Sequence, residues 1–324
     1  MQHPARRSRG FAALVAATAL GVVLAGLEAR PSRASERHPL DVAGRTVEVE
    51  LDGGAFDLPT QALLDWVDTS ARAVASFYGR FPVERVRVRL VAASGKGVSG
   101  GRTDVGGELI RVVVGRASDR EDLAQDWIMT HEMVHLAFPS VPRQHHWIEE
   151  GLATYVEPLA RLEIGEVSAE QVWRDLVVGL PNGLPREGDR GLDHTPTWGR
   201  TYWGGALFCL LADLEIRERT GNTRGLRDAL RGIQSAGGSM RVRWSLEEAL
   251  RAGDAATGVP VLMELYERMR AHPAPVDLDA LWSDLGVEAR GRRVQLRSDA
   301  PRAEVRSAIT YRPEAKTPVE SSSE

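Results

Sequence analysis

Apolar and charged residues alternate over 45–51 (RTVEVEL), the period of a half-buried strand. Residues 83–91 (VERVRVRLV) repeat that alternation, and 108–115 (ELIRVVVG) read as a third strand. Between the first two, Leu63, Leu64, Val67, Ala71, Val74 and Phe77 recur at helical spacing, so 58–79 predicts an amphipathic helix. Thr60 is its expected N-cap and Gly79 its stop. The Gly/Ser-rich stretch 94–107 reads as a loop. Ser118 with Glu121 resembles a capping box opening one helix from about 119 to 137. A Pro-bearing turn at 139–143 leads to a second helix at about 147–160. Beyond it the candidates are all helical, at 168–179, 201–220, 223–236, 245–252, 259–271 and 277–285. The loop 181–200 is long, a trait of functional segments. Strands come first and helices follow, which is an α+β pattern.

Composition narrows the class. With 43% hydrophobic and 27% charged residues, whole-chain disorder and a fibrous fold are excluded. The basic residues are almost all Arg and are interspersed with acids, so nucleic acid is not an expected partner. The single cysteine, Cys209, cannot close an internal disulfide, and its apolar setting (ALFCLLADL) marks it as core. At the N-terminus, Arg6, Arg7 and Arg9 precede an uncharged run over 11–27. Ser32-Arg33-Ala34 then offers small residues for cleavage after Ala34. The expectation is an export signal and a periplasmic or secreted protein. The competing reading is an uncleaved membrane anchor, since 17 residues lie at the lower limit of a span. Whether 35–57 forms a short pro-segment stays open.

Residues 127–138 (WIMTHEMVHLAF) carry the chemistry. His131 and His135 stand four apart, so on a helix their imidazoles converge from one face. Glu132 beside them can take a proton from a metal-activated water, the H-E-x-x-H arrangement of zinc hydrolases. Catalytic zinc takes a third protein group and keeps one position open. WIEEGLATYVE (147–157) supplies it from the next helix. Glu150 is preferred, because Gly151 beside it permits close helix packing; Glu149 is the competitor. His145 and His146 read as a solvated pair at the helix entrance. Glu157 and Thr154 share a helical face with Glu150 and are candidates to orient a ligand.

The pairing of THEMVH (130–135) with WIEEGLATY (147–155) resembles the Glu-zincin metallopeptidases. It looks most like the peptidase-MA-like bacterial proteins and the glycyl aminopeptidase family. The resemblance spans about 60–285. It implies a thermolysin-like catalytic domain, with a small mixed sheet followed by a mostly helical lobe. It implies Zn²⁺ held by His131, His135 and Glu150, and a peptide or protein substrate. YWGGALFCLLADLEIRERTG (202–221) continues the match. By it Tyr202 would stabilise the oxyanion, with Gly204 where relatives often carry Lys. His194, in the long loop, is the rival donor. Trp198 and Trp203 flank Tyr202 and are candidates to line a subsite. Two features depart from the relatives. The interval between His135 and Glu150 is 14 residues, shorter than usual. The G-x-M-E-N motif whose Glu binds a free amine is missing; Glu108, in the region 100–115, is the nearest mimic and reads better as a solvated strand-end acid.

The expected organisation is a signal peptide or anchor at 1–34 and a strand-containing lobe at 35–118. A helical zinc-binding lobe at 119–290, short terminal strands at 291–311 and a disordered tail at 312–324 complete it. A strand over about 106–115 is expected to form the edge of the substrate cleft. The reading from another class is a catalytically inactive binding or scaffold protein of the cell envelope with the same fold.

Overall fold

The computed structural model describes residues 36–291 and 293–312. The expected signal or anchor and nearly all of the expected tail lie outside the described residues. Five strands form a mixed sheet: β1 (Arg37–Val42), β2 (Arg45–Asp52), β3 (Arg85–Ala93), β4 (Val98–Thr103) and β5 (Leu109–Gly115). Their order is β1-β2-β3-β5-β4. β2, β3 and β5 run parallel, and the outer strands β1 and β4 pair antiparallel. Residues 37–52 are therefore built into the sheet rather than standing apart as a pro-segment.

The alternation seen in the sequence sorts the two faces. Val47, Val49, Val86, Val88, Leu90, Ile110, Val112 and Val114 are buried on the helical side. The other face carries charge. Glu50 is buried there between Arg37 and Arg89, at 3.0 Å from each, which compensates its lost hydration. Helix α1 (Thr60–Tyr78) follows β2. Pro59, not Thr60, occupies its N-cap, and Gly79 ends it in the left-handed conformation at φ 82°.

Two expectations fail between 94 and 137. The stretch read as a loop contains β4, whose Gly100-Gly101 pair hides its strand character. The single helix expected over 119–137 is two: α2 (Arg120–Ala124) and α3 (Ile128–His135). Asp119 and Asp122 form the capping box of the first, in place of Ser118 and Glu121. Asp126 restarts the second, its carboxylate accepting from the N–H groups of Ile128 and Met129 at 3.0 Å.

The helical lobe continues with α4 (His146–Ile164), α5 (Ala169–Gly179), α6 (Gly205–Arg219), α7 (Leu226–Ser235), α8 (Leu246–Thr257), α9 (Val261–Met269) and α10 (Leu278–Leu285). One hydrophobic core runs from the sheet's inner face through these helices. The terminal strands are a small hairpin, β6 (Val287–Arg290) and β7 (Arg293–Leu296). The segment after them is a helix, α11 (Ala303–Ile309), not a second strand pair. Among the described residues no helix is long and apolar enough to cross a membrane.

Candidate metal centre and active site

α3 and α4 bring three ligand-type side chains together. Glu150 Oε2 lies 3.2 Å from His131 Nε2 and 3.7 Å from His135 Nε2. One donor atom from each of the three lies within 4.8 Å of the others. Ligands bonded at roughly 2.0–2.1 Å around a tetrahedral ion sit about 3.3 Å apart. The donors are thus spaced to share one cation, and two imidazoles with one carboxylate form a zinc-type set. A cleft of about 550 Å³ opens beside them, lined also by Glu132 and Tyr202.

Close helix packing makes this convergence possible. Gly151 of α4 lies against Gly205 of α6, so near that an added Cβ would collide with the Gly205 backbone. Glu149 turns elsewhere and is outside that group of donors. Its Oε1 accepts from the Val141 N–H at 3.3 Å and its Oε2 meets His146 Nδ1 at 2.9 Å. His146 Nε2 lies 3.2 Å from the second oxygen of Glu150 and so orients that carboxylate. The hydrogen bond to Glu149, with Glu150 adding to it, pushes the His146 imidazole up to about 10. Burial works to raise the Glu150 carboxyl, but the three histidines more than reverse it and hold it well below the usual range. Burial pushes His135 down to about 4, leaving a neutral imidazole suited to bind a cation.

Glu132 is held by a residue that sequence patterning did not single out. The Thr103 Oγ1 lies 2.7 Å from Glu132 Oε2 and 2.8 Å from its backbone carbonyl. Burial pushes the Glu132 carboxyl above its usual range, against the pull of His131 and Thr103. Thr103 belongs to β4, which is the cleft's edge strand. This corrects the expectation for 106–115: β5 is interior to the sheet. Gly101 lets β4 approach α3, since a Cβ there would stand 2.6 Å from the Glu132 Cγ. Glu108 is exposed and does not line the cleft.

Tyr202 faces the site from a π-helical turn, Arg200–Gly204, that precedes α6. Its ring stacks 6.3 Å from that of His131. Burial, with the charges of Glu150 and Glu132, pushes its phenol up and keeps it a hydrogen-bond donor. Buried Arg200 anchors the turn through Asp189 at 2.8 Å and the Gly183 carbonyl. Trp198 is exposed and stacks on Tyr202 at 6.2 Å, whereas Trp203 is half-buried against Gly179 and Gly183. His194 is exposed and outside the cleft.

Of the pair expected to be solvated at 145–146, His146 is exposed but His145 is not. His145 is buried, its Nδ1 2.9 Å from Asp193. Asp193 accepts as well from Trp147 Nε1 at 2.8 Å and from the Tyr266 hydroxyl at 2.9 Å. One carboxylate thereby clasps the long loop to the start of α4 and to α9. Glu157 is buried, but its carboxylate accepts from Arg161 at 3.0 Å. Thr154 is half-buried and does not line the cleft. Cys209 is buried in the core.

Among solved structures, the chain is similar to an aminopeptidase N family protein from Idiomarina loihiensis, with a TM-score of 0.55 at 14% identity. The likeness covers 78% of this chain and 49% of that one. The fold is that of a gluzincin. A zinc metallopeptidase of the M1 family from Deinococcus radiodurans (TM-score 0.47, 16% identity, 75% and 54% covered) and yeast LTA4 hydrolase (0.49, 13%, 77% and 42%) also match. The first likeness carries the assignment of the fold. The chain spans about half the length of these gluzincin-fold proteins. No family pattern and no curated protein matches the sequence.

Proposed function

We propose that this chain is an exported zinc-dependent peptidase. The observation that carries the reading is the meeting of His131, His135 and Glu150 at the spacing of a shared ion, with Glu132 and Tyr202 lining the same cleft. The gluzincin fold and the H-E-x-x-H pattern support it, and the basic and apolar segment at 1–34 supports export.

His131, His135 and Glu150 would hold the zinc ion, which supplies Lewis acidity toward a water and toward the scissile carbonyl. Glu132 takes a proton from the attacking water and passes it to the departing amine nitrogen as the C–N bond breaks. Its raised proton affinity suits both transfers. The Tyr202 hydroxyl donates a hydrogen bond to the carbonyl oxygen as charge builds there. The free edge of β4 offers backbone groups to an extended peptide, as strand addition requires.

Glu132→Gln should lower peptide hydrolysis by about 10²–10⁴-fold. Zinc stoichiometry in that variant should stay at the parent level, read by metal analysis beside a peptide-library assay. Undiminished turnover would overturn the proposal. Zinc at full occupancy with no turnover in the parent would favour the inactive scaffold instead.

A further inference from the structure

Two guanidinium groups of the cleft have no part in the proposed peptide-bond chemistry. Arg143, just before α4, and Arg243, in the segment joining α7 to α8, both line it and both are exposed. The two segments are held together, since the Ser140 N–H donates to the Val242 carbonyl and the Trp244 N–H to the Ser140 carbonyl. Among the described residues neither guanidinium has a carboxylate within 4.0 Å. Arg102 of β4 also borders the cleft, but its side chain lies on the outer face of the sheet beside Arg111, opposite to Gly101 and Thr103, and takes no part.

The cleft's own carboxylates are engaged with other partners. Glu132 is engaged by Thr103, Glu149 by His146 and the Val141 N–H, and Glu150 by three histidines. The chain as a whole is acidic, at a formal net charge of −4. Two exposed guanidinium groups without a carboxylate partner, on an acidic molecule, are not the overflow of a basic composition. A guanidinium left without a carboxylate partner in a concave surface is available to pair with an anionic ligand.

We propose that the cleft selects carboxylate-bearing peptides, held by Arg143 and Arg243. This rests on the peptidase reading for its turnover but not for its binding. The carboxylate is either an acidic side chain near the scissile bond or the chain's own C-terminus; both present the planar anion a guanidinium pairs with.

The test uses matched fluorogenic peptides that differ only in Asp or Glu against Asn or Gln around the cleaved bond. A second set compares a free C-terminal carboxylate with a carboxamide. With zinc-loaded protein at low salt, acidic peptides should show a kcat/KM about tenfold or more above their neutral partners. The ratio should fall toward one in Arg143→Gln/Arg243→Gln and in high salt, and persist in Arg143→Lys/Arg243→Lys. Fluorescence anisotropy with Glu132→Gln protein reads binding without turnover. No cleavage, together with acid-selective binding that the Gln substitutions abolish, would sink the peptidase reading and uphold this inference. Equal handling of acidic and neutral peptides in both assays, or a preference untouched by the arginine substitutions, would overturn it.

Discussion

A single hydroxyl, on Thr103, fixes the carboxylate through which the proposed proton transfers run. It touches Glu132 at both its side chain and its backbone, tying the edge strand to the metal helix at the reacting centre. Thr103→Val keeps the shape and removes that hydrogen bond. We expect kcat to fall about tenfold with KM little changed, because a misplaced base weakens the transition state more than substrate binding. A change confined to KM would show that Thr103 serves the substrate instead. Which residues meet at this centre was partly legible beforehand. His131, Glu132 and His135 could be read because four-residue spacing on a helix is a geometric fact of the chain. Thr103 could not, because a contact spanning 29 positions leaves no local trace. Nor could the role of His146 be read, since a histidine beside a helix start looks solvent-facing until its two glutamate partners are placed.

Among elements, the crossing of α4 over α6 does most to shape the centre. Gly151 and Gly205 let the two backbones nearly touch, and Glu150 is the immediate neighbour of that contact. Gly151→Ala forces the helices apart. We expect a loss of about 1–3 kcal/mol in unfolding free energy, the usual range for overpacking. Zinc affinity should weaken with it, because Glu150 moves with its helix. Denaturant melts and zinc titration read the two effects; an unperturbed variant would mean that the crossing yields easily. Helices were the most legible elements, since their apolar spacing runs over many turns. Apart from α11, read as strand, the misread elements lie at two places. β4 lacked side chains where glycine permits the close approach to α3. The α2–α3 break depends on Asp126 capping a helix that periodicity alone would have continued. Tyr202 was legible as a residue but not in its π-helical setting.

For the whole molecule, buried charge makes stability depend on pH. Burial pushes the Glu157 carboxyl up to about 7, against the pull of Arg161. An unfolded chain releases that proton near 4.5. Between these values the native state holds a proton that the unfolded state has lost. The contribution is fully present below pH 4.5 and is lost as pH rises through 7. Glu157→Gln mimics the protonated form and leaves Arg161 its contact with Glu166 at 3.0 Å. Its melting temperature should therefore gain on the parent's as pH is raised from about 5 to 8. A difference that stays flat across that range would show that Glu157 remains ionised throughout.

The anchors at Asp189 and Asp193 carry a consequence for chain integrity. Both lie after an exposed bend, Arg186 to Gly188, while the Gly179–Gly183 end is held by contact with Trp203 and Arg200. Limited trypsin treatment that severs the backbone after Arg186 should yield two pieces that co-elute, because neither anchor spans the nick's free ends. If the proposed peptidase activity is measured, such a clipped species should keep it, and a preparation that looks degraded on a denaturing gel would still count as working protein.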